Sequence, residues 1–394
     1  MKARSILSLL ALLVSFPACG DLTDVSASVV RTAYTPDGQL VVFTSAGIKV
    51  YDGDLAAEKT SMRVEGERVN WEPGSASLSA NGQVGSLTYG DGQTLVYDIS
   101  RGERLVTIIP EPATSSLYGT LSPGGDLAFA YGGGVSVPMP PIDINGVIIT
   151  TQDLPGVMYR TSDGSRLWAV QYPDPLPSDP YCIFGDLSNP PLFAPDGKTL
   201  YVPITGRLFS VDTATGVAQL LLNAHACISG MTFLADGSLL VHRGVAGSAI
   251  TFHTTGLPPA DEAQAESFAI YKLDGTLVRE LAAFDGYISN GSIWSSGTPI
   301  ACSLDGVTCA LVTFQGTGET ASNGPEWQGG VLLLWRLDGT LVYSMPWSGD
   351  FPALNLAFSP DGSRLAVATH AAARVYSVAD GAMLAERKYT NGVF

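Results

Sequence analysis

One short turn pattern recurs along the chain, and a hydrophobic run follows it each time. The turn ends in Gly at positions 38, 82, 125, 197, 237, 306 and 362, in YTPDG, LSANG, LSPGG, FAPDG, FLADG, CSLDG and FSPDG. The runs that follow, such as LVVFT and LAVAT, are rich in the β-branched and aromatic residues typical of strands. Asp-Gly and Asn-Gly place Gly where φ is positive, as in hairpin turns. The pattern predicts seven strand-turn-strand units.

A second turn alternates with the first and also occurs seven times. Its copies are VYDGD (50–54), VYDISRG (96–102), YRTSDG (159–164), SVDTATG (210–216), YKLDG (271–275), WRLDG (335–339) and YSVADG (376–381). Hydrophobic runs precede and follow each copy. Together with the strand before the first turn, every repeat therefore holds four predicted strands, A to D, and the period is close to the roughly 40–50 residues of a propeller blade.

The combination of SPDGxxLxV with VYDxxxG resembles WD40-like, YVTN and quinoprotein-type repeats. The resemblance covers about residues 27–390. It implies an all-β fold, a seven-bladed β-propeller of four-stranded antiparallel blades, and we expect one domain over 27–394. Trp168 is similar to the D-strand Trp of quinoprotein repeats, whereas the regular Gly-His pairs and Trp-Asp endings of WD40 repeats are missing.

The number of residues between consecutive turns increases at defined places along the chain. Repeats 3, 5 and 6 carry extra residues between strands B and C, and the D–A connections 1→2, 3→4 and 5→6 are also long. In an up-and-down blade the A–B and C–D turns share one face, and the B–C and D–A connections share the other. All insertions therefore fall on a single face, and binding sites often lie on loops that a rigid scaffold presents.

The inserted segments contain aromatic residues that could contact a ligand. The binding-face candidates are Tyr181, Phe184, Trp294, Trp327 and Trp347. Aromatic residues are enriched at recognition surfaces. The alternative is that they form small satellite cores beneath the long loops.

The N-terminus has the pattern of an export signal. Lys2 and Arg4 precede an apolar stretch over 6–16 that is too short to span a bilayer as a helix. Residues 16–19, FPAC, resemble a bacterial lipobox. The resemblance implies a signal peptide over 1–18, lipid on Cys19 and a short tether over 19–26. It also implies a cell-envelope location, with Gly20 favouring the outer membrane. An ordinary signal peptide cut near Ala18 is the alternative.

The remaining four cysteines are an even number, which favours two disulfides in an oxidising compartment. Cys302 and Cys309 flank an Asp-Gly turn, so a hairpin there would place them opposite each other. That pairing leaves Cys182 with Cys227. Four buried free thiols are the alternative.

Composition narrows the classes of partner. The chain has 394 residues, with 21 Lys and Arg against 37 Asp and Glu, for a net charge of −16. Nucleic-acid binding requires clustered cations, so this balance argues against it. We expect a monomer that meets the membrane only through its lipid.

The sequence contains none of the local catalytic motifs that we sought. The four His show no metal-ligand spacing, and there is no nucleophile elbow and no P-loop. We therefore predict no catalytic residue, metal or cofactor. The predicted function is a non-catalytic binding or scaffold propeller that recognises a protein or an envelope polymer. The alternative is a lactonase-like hydrolase or a quinoprotein-like dehydrogenase with a site at the channel mouth.

Overall fold

The structure is a computed structural model, and it describes thirteen segments of the chain. They are residues 27–64, 73–110, 118–131, 135–144, 147–154, 156–173, 190–204, 206–224, 227–244, 267–282, 300–316, 327–347 and 353–389. All regular elements in these segments are strands. The predicted signal peptide, Cys19 and the tether lie outside the described residues.

Seven four-stranded antiparallel sheets, blades 1 to 7, follow one another along the chain. Blades 1 and 2 are β1 (Val29–Tyr34), β2 (Leu40–Thr44), β3 (Gly47–Tyr51), β4 (Glu58–Arg63), β5 (Pro73–Leu78), β6 (Val84–Tyr89), β7 (Thr94–Asp98) and β8 (Glu103–Ile108). Blade 3 and its inserted hairpin are β9 (Tyr118–Leu121), β10 (Leu127–Tyr131), β11 (Val135–Ile144), β12 (Val147–Leu154), β13 (Val157–Arg160) and β14 (Arg166–Ala169).

Blades 4 to 7 complete the ring. Blades 4 and 5 are β15 (Leu192–Phe193), β16 (Thr199–Ile204), β17 (Arg207–Asp212), β18 (Ala218–Asn223), β19 (Cys227–Phe233), β20 (Leu239–Gly244), β21 (Ser267–Tyr271) and β22 (Leu277–Ala282). Blades 6 and 7 are β23 (Ile300–Cys302), β24 (Thr308–Gly316), β25 (Trp327–Arg336), β26 (Leu341–Trp347), β27 (Ala353–Phe358), β28 (Arg364–Thr369), β29 (Ala372–Ser377) and β30 (Met383–Lys388). The fold is a seven-bladed all-β propeller, as predicted.

The first strand of each blade is the innermost strand and lies beside the first strands of neighbouring blades around the central channel. The fourth strand is outermost and the most exposed, as in β30. We call the end of the ring with the A–B and C–D turns the turn face. The end with the B–C and D–A connections is the loop face.

The seven first turns share one geometry. In each, the Gly N–H donates to the carbonyl three residues earlier, as from Gly38 to Thr35 at 2.9 Å. The Gly φ values lie between 68° and 82°, in the left-handed region. A type I turn followed by a left-handed Gly is a standard three-residue hairpin connection, which explains the Gly in every copy.

Apolar side chains are buried between the blades. Seven core clusters occur, and each joins two neighbouring blades. Phe43 and Ile48 of blade 1, for example, pack with Leu87 and Tyr89 of blade 2. Second and third strands are buried on both faces because a neighbouring blade covers each face, as in β2. Burial of this kind supplies most of the driving force for folding.

The ring closes by side-on packing of blade 7 against blade 1. In the described residues each of the two blades has its own four consecutive strands, without exchange between the termini. The hydroxyls of Tyr51 and Tyr389 lie 3.1 Å apart, and Arg364 Nε lies 2.8 Å from Asp54 Oδ1. Backbone Val29 N–H also donates to His370 O at 3.0 Å. This interface therefore combines an apolar cluster with polar contacts.

The second turn of blade 1 differs from the prediction. The other six copies end in a Gly with φ between 70° and 94°, but Gly53 lacks a positive φ. Leu55 takes the left-handed position instead, at φ 60°, and its side chain is buried. Asp52 stabilises the longer turn, because its carboxylate accepts from the N–H groups of Ala56 and Ala57.

Several second-turn glycines also provide space for the preceding blade. Trp168 of β14 lies against Gly216 of blade 4, where an added Cβ would be 2.7 Å from the indole. The indole Nε1 donates to Thr213 O at 3.1 Å. Trp168 thus lies in a D strand, as predicted, and joins blades 3 and 4. Val106 occupies the corresponding place against Gly164.

Candidate functional site

Two of the three B–C insertions are built, at least in part, from strands. The insertion in repeat 3 contains the β11–β12 hairpin, which lies between β10 and β13 of blade 3. In repeat 6 the second and third strands lengthen instead, with β24 reaching nine residues and β25 ten. The insertion in repeat 5, over 245–266, lies outside the described residues. Hydrogen-bonded strands thus extend the loop face at blades 3 and 6.

Two of the predicted binding-face residues lie at the loop-face end of blade 6. Trp327 begins β25 and pairs with Gly316, while Trp347 ends β26 and pairs with Gly330. The backbone register thus brings these two positions to one end of neighbouring strands. Tyr181, Phe184 and Trp294 lie outside the described residues, so their part in a binding face stays a prediction.

One predicted disulfide is present. Cys302 and Cys309 are bonded, and they are register partners on β23 and β24 with Cα atoms 4.0 Å apart. The bond lies beside the first turn of blade 6, on the turn face. Cys227 begins β19, but Cys182 lies outside the described residues. The Cys182–Cys227 pairing stays a prediction.

Three innermost strands carry a polar side chain that contacts the next blade, and the sequence analysis did not predict these contacts. In three blades, the residue seven positions before the first-turn Gly contacts the next blade's innermost strand. Asn355 Oδ1 accepts from Thr32 N–H at 3.1 Å, and Ser75 Oγ accepts from Gly119 N–H at 2.8 Å. Arg31 Nη1 donates to Ala76 O at 3.0 Å. We call these three residues interblade clips.

The clips satisfy polar backbone groups on strand edges that are not hydrogen-bonded to a further strand of their own sheet. Each contact reaches the residue six positions before the next first-turn Gly, so one rule relates all three. A buried backbone group without a partner is costly, which gives the clips a structural purpose. Their constant offset from the Gly was the signal available in the sequence.

Arg31 carries the one charge on the seven innermost strands as the structure describes them. The residue is half-buried, and burial lowers the pKa of its guanidinium. Its Nε is enclosed and has no hydrogen-bond partner among the described residues. Among the residues that the structure describes, no three His, Cys, Asp or Glu side chains form a group that could hold a metal ion.

Of the histidines, His242 is fully buried in β20 and stacks on Phe268, with ring centroids 4.6 Å apart. It is therefore a packed strand residue. His370 is half-buried in the B–C connection of blade 7. His225 and His253 lie outside the described residues.

The turn face bears aspartates whose pKa is lowered by hydrogen bonds. Asp361 accepts from Ser359 Oγ at 2.6 Å and from Ser363 N–H at 3.1 Å, and these contacts lower its pKa to about 2. Asp305 has the same arrangement, with Ser303 Oγ and Val307 N–H as donors, and its pKa is also lowered. The pKa values of Asp37 and Asp236 are lowered as well, by hydrogen bonds from the hydroxyls of Thr35 and Ser238. These aspartates stabilise turns, which accounts for them without a ligand.

Comparison with known proteins supports the fold alone. No protein-family model matches the chain, and no curated protein matches it. The Myceliophteria thermophila Cps50 (Swd1) β-propeller domain is 13% identical with a TM-score of 0.56, over 90% of this chain and 98% of that one. Kuenenia stuttgartiensis hydrazine synthase is 13% identical with a TM-score of 0.55, over 93% of this chain and 99% of that one. No helix in the described segments is long and apolar enough to cross a membrane.

Proposed function

We propose that the protein is an envelope lipoprotein, anchored through Cys19 in the outer membrane, whose propeller is a binding scaffold. Its loop face recognises a protein or an envelope polymer. This proposal rests on the observation that the insertions of blades 3 and 6 extend one end of the ring as strands. Extended strands hold side chains in place, so less conformational entropy is lost when they bind a partner.

Under this proposal, the position where β1 begins indicates which end of the ring faces the membrane. Ser28, just before β1, accepts through its carbonyl from Ser45 N–H in the B–C connection of blade 1, at 2.8 Å. The chain therefore enters the propeller at the loop face. Cys19 and Ala27 are eight residue steps apart in the sequence, a contour of at most about 29 Å. A lipid on Cys19 would hold the loop face near the membrane, which favours a membrane-proximal partner.

The anchor is tested by mass spectrometry of the mature N-terminus. We expect an acylated Cys19 at the mature terminus of the wild type, and an unacylated C19A that keeps its signal peptide. An unmodified mature terminus in the wild type would contradict the lipoprotein proposal.

The binding face is tested by replacing residues 317–326 with Asn-Gly, which joins β24 to β25 by a short hairpin turn. Envelope fractions and purified envelope polymer are captured on wild type, this variant and a turn-face control, L304S. Leu304 is 69% exposed, so its replacement should not disturb the core. We expect the loop variant to lose the captured partner and the control to keep it. Loss in the control alone would place recognition on the turn face.

A further inference from the structure

Arg31 is larger than its structural task requires. The corresponding residues of blades 2 and 7 are Ser75 and Asn355, and each reaches the next innermost strand with a short neutral side chain. Arg31 satisfies one carbonyl, Ala76 O, with Nη1 alone. A cation with five donors is thus present at the position where blades 2 and 7 have one neutral side-chain oxygen that accepts from a backbone N–H.

The remaining donors of Arg31 form a defined edge. Nη1 donates to Ala76 O, so the Nε and Nη2 side of the guanidinium remains for another acceptor, and Nε has no hydrogen-bond partner in the part of the chain that the structure describes. Carboxylates and phosphates bind arginine through such pairs of parallel donors. No carboxylate in the described residues forms an ion pair with Arg31, although acidic residues outnumber basic ones in the chain.

The position of Arg31 sets the direction of access. Backbone Val29 lies at the loop-face end of β1, because its N–H bonds to His370 O of the blade 7 connection. Arg31 follows two residues later, about 7 Å along the strand. Its side chain is only half-buried. Because Nε is enclosed, an anion arriving from the loop face would meet Nη2 first, and it would reach Nε only after the guanidinium shifts.

We propose that the Nε and Nη2 edge of Arg31 binds an anionic oxygen group, a carboxylate or a phosphate, that enters the central channel from the loop face. The site is distinct from the outer loop-face surface and does not depend on lipid anchoring. An unpaired enclosed donor costs free energy, and an anion at this edge would remove that cost.

The residue at the corresponding position of blade 7 provides the test variant. R31N places the blade 7 clip residue in blade 1 and removes the cation. Its Nδ2 offers a donor for Ala76 O, whereas Asn355 accepts from Thr32 N–H through Oδ1. R101Q is the matched control, because Arg101 is an exposed turn residue paired with Asp98 and Glu103. Both variants change the net charge equally. S75A removes a neutral clip and reports the effect of losing a clip alone.

Binding of inorganic phosphate and of acetate is measured by calorimetry, with sodium chloride holding the ionic strength constant. We expect saturable binding of at least one anion to the wild type, to R101Q and to S75A. R31N should bind that anion at least about tenfold more weakly, as loss of charged hydrogen bonds implies. Equal affinity in R31N, or no binding of either anion to the wild type, would overturn the proposal.

A second measurement uses the wild-type protein alone. Crystals grown with selenate should show an anomalous selenium peak that places a selenate oxygen within hydrogen-bond distance of the Arg31 guanidinium. Selenate peaks only at the outer surface would overturn the proposal, even if R31N did not fold.

Discussion

Replacing Gly216 by Ala should destabilise the protein more than the same change at a glycine with equal backbone geometry. Gly216 has φ +77° and is buried beneath Trp168 of the preceding blade. Gly237 has φ +81° and no atom within 4 Å of an added Cβ. Both variants force Ala into the left-handed region, but only one brings its Cβ against an indole.

The two costs can be estimated separately. A left-handed Ala costs about 1–2 kcal/mol at either position. At Gly216 the added Cβ would lie 2.7 Å from Trp168 Cε3 and 2.8 Å from Cδ2, closer than van der Waals contact. Overpacking of this kind costs about 1–3 kcal/mol. We therefore expect G216A to lose about 2–5 kcal/mol and G237A about 1–2 kcal/mol of unfolding free energy.

Urea unfolding of G216A, G237A, W168A and the double variant W168A/G216A measures this difference. In the W168A background the indole is gone, so G216A should cost only as much as G237A does in the wild type. The coupling between positions 168 and 216 should equal the overpacking cost. If G216A costs the same with and without Trp168, docking of the indole does not explain the glycine.

Three further outcomes follow from the turns and clips. N355A should lower the unfolding free energy by about 1–3 kcal/mol in urea titrations, because Thr32 N–H then lacks its acceptor; an unchanged value would show that the clip is dispensable. Asp361 has a folded pKa of about 2 against 3.8, so its contribution is present above pH 3.8 and is lost towards pH 2. The stability advantage of wild type over D361N, below about 1 kcal/mol for so exposed a group, should therefore shrink across that window in thermal melts; a gap that widens on acidification would contradict the assigned cause. The double variant C302A/C309A should lose no more than about 2.5 kcal/mol of unfolding free energy, because the disulfide closes a short loop within a hairpin; peptide mapping without reductant should show the 302–309 link in the wild type.

The architecture could be predicted from the sequence because its signals are local. A left-handed Gly in a hairpin turn depends on a few neighbouring residues, and seven copies of two turns fix seven blades of four strands. The Cys302–Cys309 disulfide was predicted in the same way, from a hairpin that places the two residues opposite each other. The exception is Gly53, where Leu55 adopts the left-handed position in a turn stabilised by Asp52.

The contacts between blades were decided by tertiary structure. Which glycine lies beneath a neighbouring side chain depends on packing between repeats about 50 residues apart, as for Trp168 and Gly216. Closure of the ring through Tyr51 and Tyr389 joins the first blade to the residue that follows the last strand of blade 7. The role of Arg31 is of the same kind: in the sequence it is one polar residue within a strand. Only the ring brings it to the channel, because a propeller places the first strand of every blade around one axis.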